Sequence, residues 1–194
     1  MKSLRTNCMD RFMLHLKNSK YLPKDATIIL NNSRDLIYGM TAVIRDCRVS
    51  SKFIELDISV HKTNLELLLE KLSSIGQNGD SRLIIEEEME KSQLVKDGIS
   101  YFNNERFWEC HEALEGAWKQ SQGEEKELIQ GLILVAAALV HYQKAEDDIC
   151  LSVLGRALEK LNDKSGQYCR INVDHVKQKV IEMLDKKEIF TFMF

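Results

Sequence analysis

The hydrophobic period of this chain changes partway along, and that change constrains the fold more than any other feature. In the first third, Phe12, Leu14 and Leu16 alternate across Arg11 to Leu16, and Ile54, Leu56, Ile58 and Val60 alternate across Lys52 to Val60. Period two is the pattern of half-buried strands, whose successive side chains point to opposite faces. From about residue 94 onward the apolar residues recur at helical spacing, and the only proline, Pro23, lies far upstream. A chain with so few breakers in its second half favours long, uninterrupted helices.

The first region therefore reads as a small antiparallel sheet covered by one helix. Ala42 to Arg48 and Lys52 to Val60, joined through Val49-Ser50-Ser51, form a hairpin pattern. Ala26 to Leu30 reads as a further strand, and Arg82 to Ile85 as a returning edge strand. Asn64 to Ile75 carries Leu65, Leu68, Leu69, Leu72 and Ile75 at helical spacing and stops at Gly76. These assignments predict an α+β module over residues 1–85 and an all-α helical bundle of about five helices over 86–194. The acidic run Glu86-Glu87-Glu88 opens the first of those helices, which closes at Phe102. Asn103-Asn104 makes the next turn and can cap the helix from Glu105 to Lys119. Three more helices follow, over Glu124 to Gln143, from Asp147, and from Asn172.

Composition narrows the function classes. The 194 residues carry a net charge of −3, but residues 94–194 alone hold 13 basic and 17 acidic side chains. A helical half with that balance is a poor match for phosphate backbones, so nucleic acid is not its expected partner. The longest apolar run, Leu128 to Val140, is interrupted by Gln130 and Gly131. It is shorter than the roughly 20 residues a membrane helix needs. No signal-type apolar stretch lies in Met1 to Asp10, so the expected location is cytoplasmic. The five cysteines include no CxxC pair, which points to reduced, structural thiols. P-loop, GxGxxG and GxSxG patterns are all missing.

One segment carries chemistry. Phe102-Asn103-Asn104-Glu105-Arg106-Phe107-Trp108-Glu109-Cys110-His111-Glu112-Ala113-Leu114-Glu115-Gly116-Ala117-Trp118 resembles the family catalogued as domain of unknown function 309. Its pattern is a phenylalanine-asparagine turn and an aromatic pair, then glutamate, histidine-glutamate, leucine-glutamate and tryptophan. Ile129-Gln130-Gly131-Leu132 and His141-Tyr142 resemble the family's second segment, so the resemblance covers about residues 94–165. It implies a helical bundle of bacterial or archaeal origin and assigns no reaction.

Read as a helical wheel, the same residues place Phe107, His111, Leu114 and Trp118 on one narrow face. His111 then sits mid-stripe, Glu115 flanks it, Glu112 leans outward, and Glu109 points away. An antiparallel hairpin brings Glu115 level with Gln130, and leaves His141 about 10 Å too far along to reach His111. These positions predict a buried polar cluster of His111, Glu112, Glu115 and Gln130, with His141 at its far end. Three readings follow. The first is a structural network that sets helix docking. The second is a protein-interaction module, and these two together are favoured. The alternative is a metal-dependent enzyme, because His111-Glu112-Ala113-Leu114-Glu115 resembles HExxH with its last histidine replaced. There His111 and Glu115 are the metal ligands, Glu112 is the general base, and the cofactor is a divalent metal. The apolar tail Ile189 to Phe194 is expected to dock on the protein's own surface or on a neighbouring subunit, which makes a homo-oligomer one outcome.

Overall fold

The computed structural model describes residues 9–85 and 88–194. They fall in two compact units, Met1–Glu86 and Glu87–Phe194. The N-terminal unit runs β1 (Asp10–Lys17), α1 (Ala26–Leu36), β2 (Ala42–Val49), β3 (Phe53–Val60), α2 (Leu65–Leu72) and β4 (Asn78–Leu83). Its sheet has the order β2-β3-β1-β4, with every neighbouring pair antiparallel. That order and connectivity define the ferredoxin-like βαββαβ arrangement.

Period two produces the sheet's apolar face. Phe12, Leu14 and Leu16 of β1 lie opposite Ile58, Leu56 and Ile54 of β3, and all six are buried against Ile29, Leu68 and Leu72 of the two helices. A one-residue slip would turn these side chains outward, so the alternation sets the register. In β2 the register shifts between Ile44 and Asp46. The bulge at Arg45 lets both Ile44 and Cys47 face the core although they are an odd number of residues apart.

Two expectations are corrected here. Ala26 to Leu30 is the start of helix α1, so two helices cover the sheet rather than one. Its β-branched run Thr27-Ile28-Ile29 favours a strand locally. The chain instead enters a helical turn at Pro23, where the Asp25 carboxylate accepts the Leu22 N–H at 2.8 Å. Burial of Ala26, Ile29 and Ser33 on one helical side then outweighs the local preference. The returning strand, β4, begins earlier than its sequence suggests because its outer residues are largely solvated and show no alternation.

The C-terminal unit comprises α3 (Lys91–Asn103), α4 (Phe107–Lys119), α5 (Gly123–Tyr142), α6 (Asp147–Leu161) and α7 (Val173–Lys186). A two-residue ladder, β5 (Gln167–Tyr168) with β6 (Ile171–Asn172), precedes α7. Of the acidic run expected to open α3, Glu86 and Glu87 lie outside the described residues, and Glu88 precedes the helix. The asparagine pair serves other ends than capping α4. Asn104 donates its amide to the Ser100 carbonyl at 2.9 Å, and the helix starts after Arg106. Asn172, in contrast, caps α7 by accepting the His175 N–H at 3.0 Å.

Helix α5 is the axis of this unit, packed on α4 to one side and α6 to the other. Gly131 makes the second contact close: a Cβ there would meet Leu161 at 2.6 Å. The tail settles on its own bundle. Phe194 stacks on Phe102 with ring centroids 3.6 Å apart, Phe192 meets the same ring edge-on at 5.2 Å, and the Phe194 N–H donates to Asn103 Oδ1. Among the described residues, no helix is long and apolar enough to cross a membrane.

Candidate functional site: a polar cluster on α4

Helix α4 buries Phe107, Glu109, Cys110, Ala113, Leu114 and Ala117. The buried arc is thus centred near Cys110 and Ala117, turned away from His111. The reason is α3, which packs over the side bearing Ala113 and Gly116. A Cβ on Gly116 would stand 3.0 Å from Leu94, and one on Gly98 3.0 Å from Leu114. A single-helix wheel carries no information about which edge of its stripe a third helix covers.

The rotation reverses the expected roles of two residues. Glu109 is 1 % exposed, and its carboxylate accepts both Nε and Nη2 of Arg106, one turn earlier. That pairing holds the carboxylate where a lone charge would be costly to bury. His111, predicted to lie buried in mid-stripe, instead has a side chain 26 % exposed. Glu112 is exposed, in keeping with its outward position on the wheel, yet it still reaches the imidazole. Its Oε1 lies 3.4 Å from His111 Nδ1, and Glu115 Oε1 lies 3.6 Å from His111 Nε2. Both separations exceed a good hydrogen bond, so the ring is flanked by carboxylates without being locked to either.

One ligand atom from each of His111, Glu112 and Glu115 lies within 4.8 Å of the others. Bonds of about 2.0–2.2 Å to zinc would require ligand atoms roughly 3–4 Å apart, which small side-chain rotations supply. One imidazole with two carboxylates suits zinc, manganese or iron(II). Solvent on the outer side leaves coordination positions open.

Gln130 and His141 are not hydrogen-bonded to this set among the described residues. Gln130 lines a cleft with Trp118 and Leu134. His141, at the C-terminal turn of α5, pairs with Glu146 at 2.5 Å. Partial burial works against the Glu146 charge, but the His141 bond and nearby Lys144 hold its carboxyl below the usual range. Among the described cysteines, Cys47, Cys110 and Cys150 are buried and free, and desolvation pushes the Cys47 and Cys150 thiols up to about 12. Cys169 is free and exposed, and Cys8 lies outside the described residues.

A second polar set, missed in the sequence, lies on the sheet face opposite the helices. His15 and Glu55 are directly paired in the β1–β3 register, and His15 Nε2 lies 3.2 Å from Glu55 Oε2. Arg48 donates to Glu55, and to Asp46 at 2.9 Å, while Arg11 grips Asp57 at 2.6 and 2.9 Å. Burial opposes the Arg48 charge, but Glu55 and Asp46 hold it more firmly protonated than usual. The signal was there in outline, since His15 and Glu55 occupy polar positions of alternating strands. Strand pairing was needed to bring them together.

The fold and site thus define a helical unit built on α4–α5 and α5–α6 hairpins, with a His-Glu-Glu set on α4. Residues 95–153, which span most of α3 to the first half of α6, match the family described as domain of unknown function (DUF309). No curated protein matches the chain. Among solved structures, a conserved hypothetical protein of Thermus thermophilus is 28 % identical. The match covers 46 % of this chain and 94 % of that one, with a TM-score of 0.41.

Proposed function

We propose that the helical unit is a divalent-metal protein whose ligands are His111, Glu112 and Glu115, and that it performs metal-assisted hydrolysis. The observation that carries this reading is the meeting of three ligand atoms within 4.8 Å on the solvent side of one helix. Held by these three side chains, such an ion would lower the pKa of a bound water toward neutrality, which is the chemistry it would supply. His111 contributes a neutral ring nitrogen, and Glu112 and Glu115 contribute the negative charge that offsets the cation. All three project from the middle of a 13-residue helix, so their spacing is set by a rigid element. Glu112, beside the imidazole, acts here as a ligand rather than as a separate base.

The test is elemental analysis of tag-free protein, with calorimetric titration of zinc, manganese and iron(II). Near-stoichiometric uptake that is lost in both His111→Ala and Glu115→Gln supports the site. Equal uptake by His111→Ala and the parent protein, or none by either, would sink it. The cluster would then be a solvated helix face, and the structural or interaction role would take its place.

A further inference from the structure

A cleft of about 290 Å³ opens on the face where α4, α5 and α6 meet. Trp118 of α4 and Leu134 of α5 provide its apolar surface, and Gln130 of α5 lines it with them. Lys126 of α5 and Arg156 and Lys160 of α6 provide cations, and Glu127 and Glu159 provide carboxylates. Three cations against two carboxylates leave a local surplus of one positive charge. The surrounding segment 94–194, by contrast, carries four more acidic than basic residues.

The pairing within the cleft is uneven. Lys160 is committed to Glu127 at 2.7 Å, a bridge that ties α6 to α5. Lys126 has no carboxylate partner among the described residues; its ammonium rests over the Trp118 ring, 4.0 Å from the centroid. Arg156 and Gln130 have no hydrogen-bond or ionic partner among the described residues. Arg156 and Lys126 therefore share one concave site with an indole, a leucine and an unused amide, and Glu159, the remaining lining carboxylate, offsets only one of these two charges. Such a combination suits a ligand with a flat apolar body and an anionic end. The body would lie along Trp118 and Leu134, and the anion would be gripped by the Arg156 fork, with Lys126 as a second charge. The cleft's volume is at the small end for ligand sites, about 300–1,000 Å³, which limits the occupant to roughly one ring and its anionic group.

We infer that this cleft is a binding site for a small aromatic or similarly flat anion, a phosphate monoester or carboxylate of one ring, recognised by Arg156, Lys126 and Trp118. The inference does not depend on the metal reading. Glu115 lies three residues before Trp118 on α4, about 4.5 Å along the axis, so the two sites are neighbours on one helix.

The experiment is a two-dimensional nitrogen–proton titration of the full chain, freed of metal with a chelator, using phenyl phosphate, benzoate and uncharged phenol. The chain has two tryptophans, so the Trp108 indole serves as internal reference for that of Trp118. A saturable shift of the Trp118 indole with phenyl phosphate or benzoate, but not with phenol, is expected. Arg156→Gln should weaken it about tenfold or more, as loss of a charged hydrogen bond of about 1.5–3 kcal/mol implies. Lys126→Gln should weaken it less, and Lys186→Gln should leave it unchanged. Absence of a saturable shift with either anion overturns the inference, as does equal affinity in Arg156→Gln. Because metal is removed throughout, failure of the metal site leaves this result untouched, and the reverse also holds.

Discussion

The sheet face of the N-terminal unit and the outer face of α4 carry the same residue types in opposite circumstances. On the sheet, His15, Glu55 and Arg48 are at most 4 % exposed, and Glu55 is paired with both His15 and Arg48. On α4, His111, Glu112 and Glu115 have side chains 26 %, 49 % and 44 % exposed and approach no closer than 3.4 Å. Burial makes mutual pairing compulsory, because an unpaired charge in the interior costs several kcal/mol. On α4 the two carboxylates are about half exposed, which relaxes that compulsion, while the flanked His111 ring keeps a buried Nδ1 with no hydrogen bond among the described residues. A His-Glu set is therefore informative about binding only once its burial is known.

The largest expected effect breaks the buried side of this comparison. Arg48→Met removes the guanidinium from Glu55, leaving it the His15 imidazole, and should cost about 3–5 kcal/mol, read as loss of hydrogen-exchange protection in β1 and β3. The double variant Arg48→Met/Glu55→Leu should recover much of that loss. If the single variant is as stable as the parent, the sheet network is not a structural pair set. On the exposed side, zinc or manganese at 100 times its dissociation constant should raise stability by about 2.7 kcal/mol, and the gain should vanish in His111→Ala.

Next comes a contrast within one helix. Glu109→Ala removes the partner of Arg106 and should cost about 2 kcal/mol, whereas His111→Ala without metal should stay within about 0.5 kcal/mol. Urea melts of the two variants that coincide would show the burial of α4 to be misassigned. The smallest effect concerns Glu125, whose carboxyl is held below its usual range chiefly by the Lys91 ammonium at 2.7 Å, helped by the Tyr168 hydroxyl. A lowered carboxyl favours the folded state at neutral pH, and that contribution disappears as acid protonates it. Because the pair is about one-third exposed, less than about 1 kcal/mol is at stake. Thermal melts of Glu125→Gln should accordingly lose less stability between pH 7 and pH 3 than the parent does.

Much of this was legible in order along the chain. The alternation in β1 and β3, the helix starting near Asn172 and the spacing of His111, Glu112 and Glu115 could all be read locally. Ala26 to Leu30 could not, because its β-branched residues favour a strand until a helical face finds a core to bury against. The α4 wheel failed for a related reason: its hydrophobic arc is broad enough to be centred on either His111 or Cys110.

Hydrophobic period and helical spacing belong to the chain alone. They suffice for the change from sheet to helices and for one histidine with carboxylates at i+1 and i+4. Packing supplied the rest: Glu109 is buried and His111 is not, Gln130 faces a cleft, and His15 meets Glu55 across 40 residues. Those outcomes depend on which neighbour covers which face. Several elements settle that together, through close approaches such as Gly131 on Leu161, and no single segment encodes it.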